Sequence, residues 1–210
     1  MTIEREIKLV IYDCDGVMFE SKRANVAFYN SILDKFGTPP IDENDYLLVN
    51  IAHTHTSKQV VDFLFGDDPR LEEVQEFVKG LDYTPFLHYM RMEPGFIEML
   101  GLLKHNHYVA VATNRTTSLQ TILRSFGLEK YFDYSITPLD VKEPKPHPES
   151  LFKILDHFQL MREEAIYIGD SEIDLETATR AGVRFAAYKN NLDTLLKIQN
   201  HLELKSVLGI

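Results

Sequence analysis

A chain of 210 residues, 44% of them hydrophobic and 26% charged, has the length and composition of one globular domain, or of one domain with a modest insertion, and is unlike disordered or fibrous sequences. Its 22 basic and 32 acidic residues leave a formal charge of −10 with no Lys/Arg cluster, which excludes a nucleic-acid binder, and no apolar stretch approaches the roughly 20 residues that cross a bilayer. The lone Cys14 forms no intrachain disulfide and Met1-Thr2-Ile3-Glu4-Arg5-Glu6 lacks the apolar h-region of a leader, so a reducing cytoplasm is predicted.

From the N-terminus, the first apolar run is Leu9-Val10-Ile11-Tyr12, which closes on Asp13-Cys14-Asp15-Gly16. A continuous apolar run of this length predicts a strand buried on both faces, as in a parallel sheet. From about Phe19 to Arg91 only helical patterns follow: Val26, Tyr29, Leu33 and Phe36 before Gly37, then segments near 43–50, 57–65 and 71–90. Thr38-Pro39-Pro40 and Gly66-Asp67-Asp68-Pro69 mark turns inside it. The expected organisation is an α/β core over 1–18 and 92–210, with an all-helical insertion over 19–91.

Beyond the insertion, strand and helix patterns alternate. Pro94 precedes a helix carrying Ile97 and Leu100 that ends near His105, and Tyr108–Ala112 reads as a strand closing on Thr113-Asn114-Arg115. Thr116-Thr117-Ser118 are N-cap candidates for a helix presenting Leu119, Ile122, Leu123 and Phe126 before Gly127. A weaker strand, Tyr134-Ser135-Ile136, precedes a helix begun at Pro148 with Leu151, Ile154, Leu155 and Phe158 on one face. Ala165–Ile168 is the third clear strand, closing on Gly169-Asp170-Ser171-Glu172-Ile173-Asp174, and Arg184–Tyr188 is a fifth candidate. Such alternation predicts an α/β fold: a doubly wound parallel sheet with helices on both faces and right-handed crossovers.

In an open parallel sheet the carboxyl ends of the strands line one crevice, so Asp13, Asp15, Asp170 and Asp174 are expected to converge. Crowded carboxylates raise one another's pKa, and a hard divalent cation such as Mg²⁺ relieves the repulsion.

Asp13-x-Asp15-Gly16-Val17, Thr113-Asn114, Lys145-Pro146-x-Pro148 and Gly169-Asp170-x-x-x-Asp174 stand in the order of the four motifs of the haloacid dehalogenase superfamily, which the chain resembles nearly end to end. The insertion resembles the small helical cap of its phosphoglycolate phosphatase and β-phosphoglucomutase-like branch. The resemblance implies that Asp13 is the nucleophile forming an aspartyl-phosphate, and that Asp15 acts as general acid and then base. It also implies that Thr113 and the Asn114 N–H hold phosphoryl oxygens and that Lys145 offsets the charge of Asp13 and the phosphoryl group. Lys142 lies near enough in sequence to compete, but the Lys-Pro-x-Pro spacing selects Lys145. Mg²⁺ would be bound by Asp13, Asp170 and the Asp15 carbonyl, with Asp174 holding a coordinated water or orienting Lys145. Glu20 and Val17 depart from the Asp and Thr of many relatives, which leaves the hinge contacts open.

Cys14 is expected to be a buried thiol rather than a nucleophile. His53 and His55 have no recognisable third ligand, and Mg²⁺ prefers oxygen. His55, Thr56, Ser57 and Lys58 at a helix N-terminus are candidates to face the leaving group, against a solvated-surface alternative. Arg115 is a candidate for an anionic substrate tail or a rim salt bridge. The expected activity is a Mg²⁺-dependent phosphatase acting on a small phosphorylated metabolite, possessing no nucleic-acid or membrane partner. A phosphomutase of the β-phosphoglucomutase kind and a non-catalytic module that kept the fold are the alternatives.

Overall fold

The computed structural model describes residues 6–210; the leader reading rests largely on residues 1–5, which lie outside them. Strand β1 (Leu9–Tyr12) is followed by β2 (Phe19–Glu20), helices α1 (Lys22–Lys35), α2 (Tyr46–Thr54), α3 (Ser57–Phe65) and α4 (Leu71–Lys79), a 3₁₀ turn over Thr84–Tyr89, and β3 (Arg91–Met92). Then come α5 (Phe96–Leu103), β4 (Tyr108–Ala112), α6 (Ser118–Ser125), β5 (Tyr134–Ile136), α7 (Glu149–Phe158), β6 (Ala165–Gly169), α8 (Glu172–Ala181), β7 (Arg184–Tyr188), β8 (Lys197–Ile198) and α9 (Leu204–Leu208).

Six strands form one sheet in the order β5-β4-β1-β6-β7-β8, with every pairing parallel. Strand β1 sits between β4 and β6, its Tyr12 level with Val111 and Ile168, so the three polar strand ends lie side by side. Alternation along the strands splits the interior in two. Val10, Tyr12, Val109, Val111, Ile166 and Ile168 join a core that continues through α5, α6 and the helices α1–α4. Leu9, Ile11, Ala110, Ala112, Ala165 and Tyr167 face the other way, onto α7 and α8. Helix α6 buries Leu119, Ile122 and Leu123 as its period requires, each contributing roughly 1.5–3 kcal/mol. Among the described residues no helix is long and apolar enough to cross a membrane.

Four details differ from expectation. The 19–91 stretch is not purely helical, because β2 and β3 pair antiparallel at its two ends, Phe19 opposite Met92 and Glu20 opposite Arg91. Two-residue strands are too short to show a period. The helix expected near 43–50 runs over Tyr46–Thr54, because Asp45 caps it by accepting from the Leu47 and Leu48 N–H groups. The pattern over 71–90 breaks at Gly80, after which Pro85, lacking an N–H, starts a separate 3₁₀ turn. Helix α6 has Thr117 at its N-cap, but no Thr side chain caps it.

Candidate active site

The crevice begins where β1 ends. Asp13 stays in line with the sheet, its N–H donating to the Ile168 carbonyl at 2.9 Å, and Cys14 is fully buried, where burial pushes its thiol up beyond reach of ionisation. The chain then turns sharply: Gly16 has φ +71° and its N–H donates to the Phe19 carbonyl. A Cβ on Gly16 would lie 1.9 Å from Asp170 Oδ2, so this glycine gives the third strand's carboxylate its place. Gly169 does the same for Asp174, whose Cβ would be 2.3 Å away.

Asp174 is held from several sides. It forms a reciprocal cap with Ser171 at the start of α8, and its Oδ1 accepts from Tyr167 OH and Lys145 Nζ, both at 2.6 Å. Lys145 is 3% exposed, and its Nζ also lies 2.9 Å from Asp13 Oδ1. Burial disfavours the ammonium, but Asp13 and Asp174 outweigh it and hold Lys145 charged. Lys142, the competitor in sequence, is exposed. Burial would likewise raise the Asp174 carboxyl, yet Lys145 keeps it below the ordinary range.

Asp13 and Asp170 shift the other way from Asp174. Burial, reinforced by neighbouring carboxylates and only partly offset by Lys145, pushes Asp13 up to about 8. Burial raises Asp170 too, against the pull of His53. Asp13, Asp170 and Asp174 each offer an oxygen within 4.8 Å of the others, and Asp13 Oδ1 is buried without an aligned hydrogen bond despite its closeness to Lys145. A buried carboxylate oxygen without an aligned hydrogen bond, crowded by two further carboxylates, fits a hard divalent cation that relieves the repulsion, and the all-oxygen donor set fits Mg²⁺.

Asp15 turns away from that cluster. Its Oδ1 accepts from Arg115 Nη2 at 2.6 Å, from Asn25 Nδ2 at 3.0 Å and from Ser21 Oγ. Arg115 is 8% exposed, not on the rim; it also donates to Asn25 and Tyr83 OH and lies over the Tyr83 ring at 4.6 Å. Burial alone would raise Asp15, but the guanidinium overcomes it and holds the carboxyl below its usual range. Ser21, Asn25 and Tyr83 were not singled out from sequence. Ser21, the N-cap of α1, and Asn25 in its first turn carry a weak signal, two buried polar residues four apart; Tyr83 carries none.

Thr113 is buried, its Oγ1 accepting from the Arg115 N–H. Asn114 ties three segments together by donating to the Thr54 and Lys145 carbonyls while accepting from the Lys145 N–H. His53, also 6% exposed, comes over from α2 with Nε2 3.4 Å from Asp170 Oδ2 and neither ring nitrogen hydrogen-bonded. Burial would keep His53 neutral, but Asp170 draws its pKa up. A cavity of about 310 Å³ opens here, with Lys22, Asn50, His53, His55, Asp170 and Glu172 in its wall. Glu172 is solvent-exposed. Lys58 lies elsewhere: it is exposed and paired with Asp62 at 2.6 Å, while Thr56 caps α3.

Residues 10–188 match the family model of haloacid dehalogenase-like hydrolases. A HAD-superfamily hydrolase of subfamily IA from Geobacter sulfurreducens shares 40% identity and superposes with a TM-score of 0.85, covering 96% of this chain and 100% of that one. The N-acetylmuramic acid 6-phosphate phosphatase of Pseudomonas putida is 25% identical, with 96% of each chain covered. The phosphorylated carbohydrates phosphatase of Thermotoga maritima is 25% identical over 84% of this chain and 82% of its own.

Proposed function

The chain belongs to the haloacid dehalogenase-like hydrolase family, and from that premise we propose that it is a Mg²⁺-dependent phosphatase of small phosphate monoesters working through an aspartyl-phosphate. The observation that carries this reading is the division of labour between two aspartates two residues apart: Asp13 beside Lys145 and two further carboxylates, Asp15 in a separate ion pair.

In the first step an Asp13 carboxylate oxygen forms a bond to phosphorus as the ester P–O bond breaks, and the leaving oxygen takes a proton from Asp15. In the second, water attacks the same phosphorus while Asp15 takes its proton, the Asp13–phosphorus link breaks, and inorganic phosphate leaves. The Arg115 pair suits Asp15 to the base half, since it favours the carboxylate; the acid half requires that pair to loosen. Lys145 offsets negative charge at Asp13 and on the phosphoryl oxygens, and Thr113 Oγ1 and the Asn114 N–H are its remaining donors. Asp13 and Asp170, with Asp174 behind them, would hold Mg²⁺, which when bound would supply positive charge that lowers repulsion between nucleophile and phosphate.

Residues 19–91 act as a cap over the core formed by 1–18 and 92–210, excluding water from the crevice; His53 on Asp170 and Asn114 on Thr54 support this closure. The substrate is a small phosphorylated metabolite, in keeping with relatives named for phosphoglycolate and phosphorylated carbohydrates.

The test is phosphate release from a panel of esters with Mg²⁺, compared with Asp13→Asn. The substitution keeps the shape and removes the nucleophile, so activity should fall at least about a thousandfold, about 4 kcal/mol in the barrier. Activity within tenfold of wild type overturns the assignment. Conversion of glucose 1-phosphate to glucose 6-phosphate without free phosphate would replace the phosphatase by a mutase.

A further inference from the structure

The cavity over Asp170 does not end the accessible space. A larger one, about 730 Å³, lies between α1, α2, the Thr84–Tyr89 turn and β3, and the two share Lys22 and Asn50 in their walls. The smaller cavity holds Asp170, a neighbour of Asp13 in the acidic cluster, so a ligand extending from there past Lys22 would meet the larger one. This volume suits a leaving group far larger than a two-carbon acid.

The chemistry of the walls is specific. Arg70, Arg115, Arg124, Arg162 and Arg180 each pair with a carboxylate. Arg23 and Arg91, both in this wall, make no such pair with any described residue. Arg91 stands directly across from Glu20 in the β2–β3 pair, yet Glu20 turns instead to the Lys22 N–H at 2.9 Å. With Lys22, three cations face two carboxylates, Glu20 and Glu43, on a chain whose formal charge is −10. The Arg23 guanidinium is steadied over the Tyr89 ring at 4.6 Å, and Tyr46 stands 87% exposed at the same cavity. Guanidinium groups free of carboxylate partners match carboxylate and phosphate by paired donors, and tyrosine faces match the C–H face of a sugar.

We propose that this cavity is a second anion-binding subsite, and that the substrate is a sugar-sized phosphate ester carrying a further negative group, carboxylate or phosphate, held by Arg23 and Arg91. The proposal rests on the phosphatase reading of the crevice. Binding energy spent on that remote group holds the scissile phosphate at Asp13 and discriminates against phosphate esters of sugars without a second anionic group.

Three hexose-sized esters test it: glucose 6-phosphate, 6-phosphogluconate and fructose 1,6-bisphosphate, which differ in the far group. Wild type should favour one or both of the doubly anionic esters over glucose 6-phosphate by about tenfold in kcat/KM, and the favoured one tells carboxylate from phosphate. Arg23→Ala/Arg91→Ala should collapse that ratio through KM. A wild-type preference for glucose 6-phosphate, or a ratio unchanged in the double variant, overturns the subsite. Calorimetric titration of the same ligands separates the two readings. If no ester is hydrolysed but the double variant weakens binding of the doubly anionic ligands, the phosphatase reading fails and the subsite stands. If binding is unchanged, the subsite fails.

Discussion

Two glycines with the same backbone strain have different neighbours. Gly16 and Gly37 both have positive φ, +71° and +65°, but a Cβ on Gly16 meets Asp170, whereas one on Gly37 meets nothing within 4 Å. Each Ala substitution therefore costs about 1–2 kcal/mol of stability from the left-handed conformation. Only Gly16→Ala should also push Asp170 aside, lowering kcat by about a hundredfold or more, about 3 kcal/mol in the barrier. Thermal melts alongside steady-state rates for both variants check this; equal activities would mean that Asp170 needs no such clearance. Asp13-x-Asp15-Gly16 was legible in the sequence because strand end, motif and turn coincide there. The partnership of Asp15 with Arg115 was not, since it joins residues 100 apart and neither side chain announces which way it turns. His53 was hidden in the same way, its partner Asp170 becoming a neighbour only when α2 lies over the crevice.

Among elements, the long ones were legible and the short ones were not. Strands β1, β4 and β6 carry four or five apolar residues, and α6 and α7 show a full helical period. Strands β2, β3 and β8 have two residues each, so only their partners define them. The C-terminal 3₁₀ turn His201–Glu203 was equally silent. It tucks His201 beneath β1 and β7, stacked on Tyr188 at 4.4 Å between centroids, with Nε2–H donating to the Val17 carbonyl at 2.8 Å and Nδ1 unpartnered. Burial holds its pKa down at about 4, against roughly 6.5 for a histidine in the unfolded chain. Between those values the unfolded chain carries the extra proton, so this element loses stability as pH falls from about 6.5 towards 4, by at most about 3 kcal/mol. Denaturant melts at both ends of that range should show a shallower fall for His201→Gln than for wild type. Parallel curves would mean that His201 does not titrate with folding.

At the scale of the whole molecule, the crowded carboxylates store repulsion that a bound cation releases, so stability and metal binding are linked. With Mg²⁺ at about a hundred times its dissociation constant the folded state gains about 2.7 kcal/mol. For a chain of this size that raises Tm by roughly 5–10 °C. EDTA should reverse the rise and Asp170→Asn should largely remove it; a wild-type shift below about 1 °C would count against a cation at this cluster. The parallel sheet with helices on both faces was predictable from alternating strand and helix patterns, but the tie between the ends of the 19–91 stretch was not. That tie, Phe19 beside Met92 and Glu20 beside Arg91, brings the stretch back to the place where it left. Strand β1 then still meets β4 in register, Leu9 beside Tyr108, whatever is threaded between. A lineage can lengthen, trim or exchange that single contiguous piece by one recombination event while inheriting Asp13, Thr113, Lys145 and Asp170 unchanged.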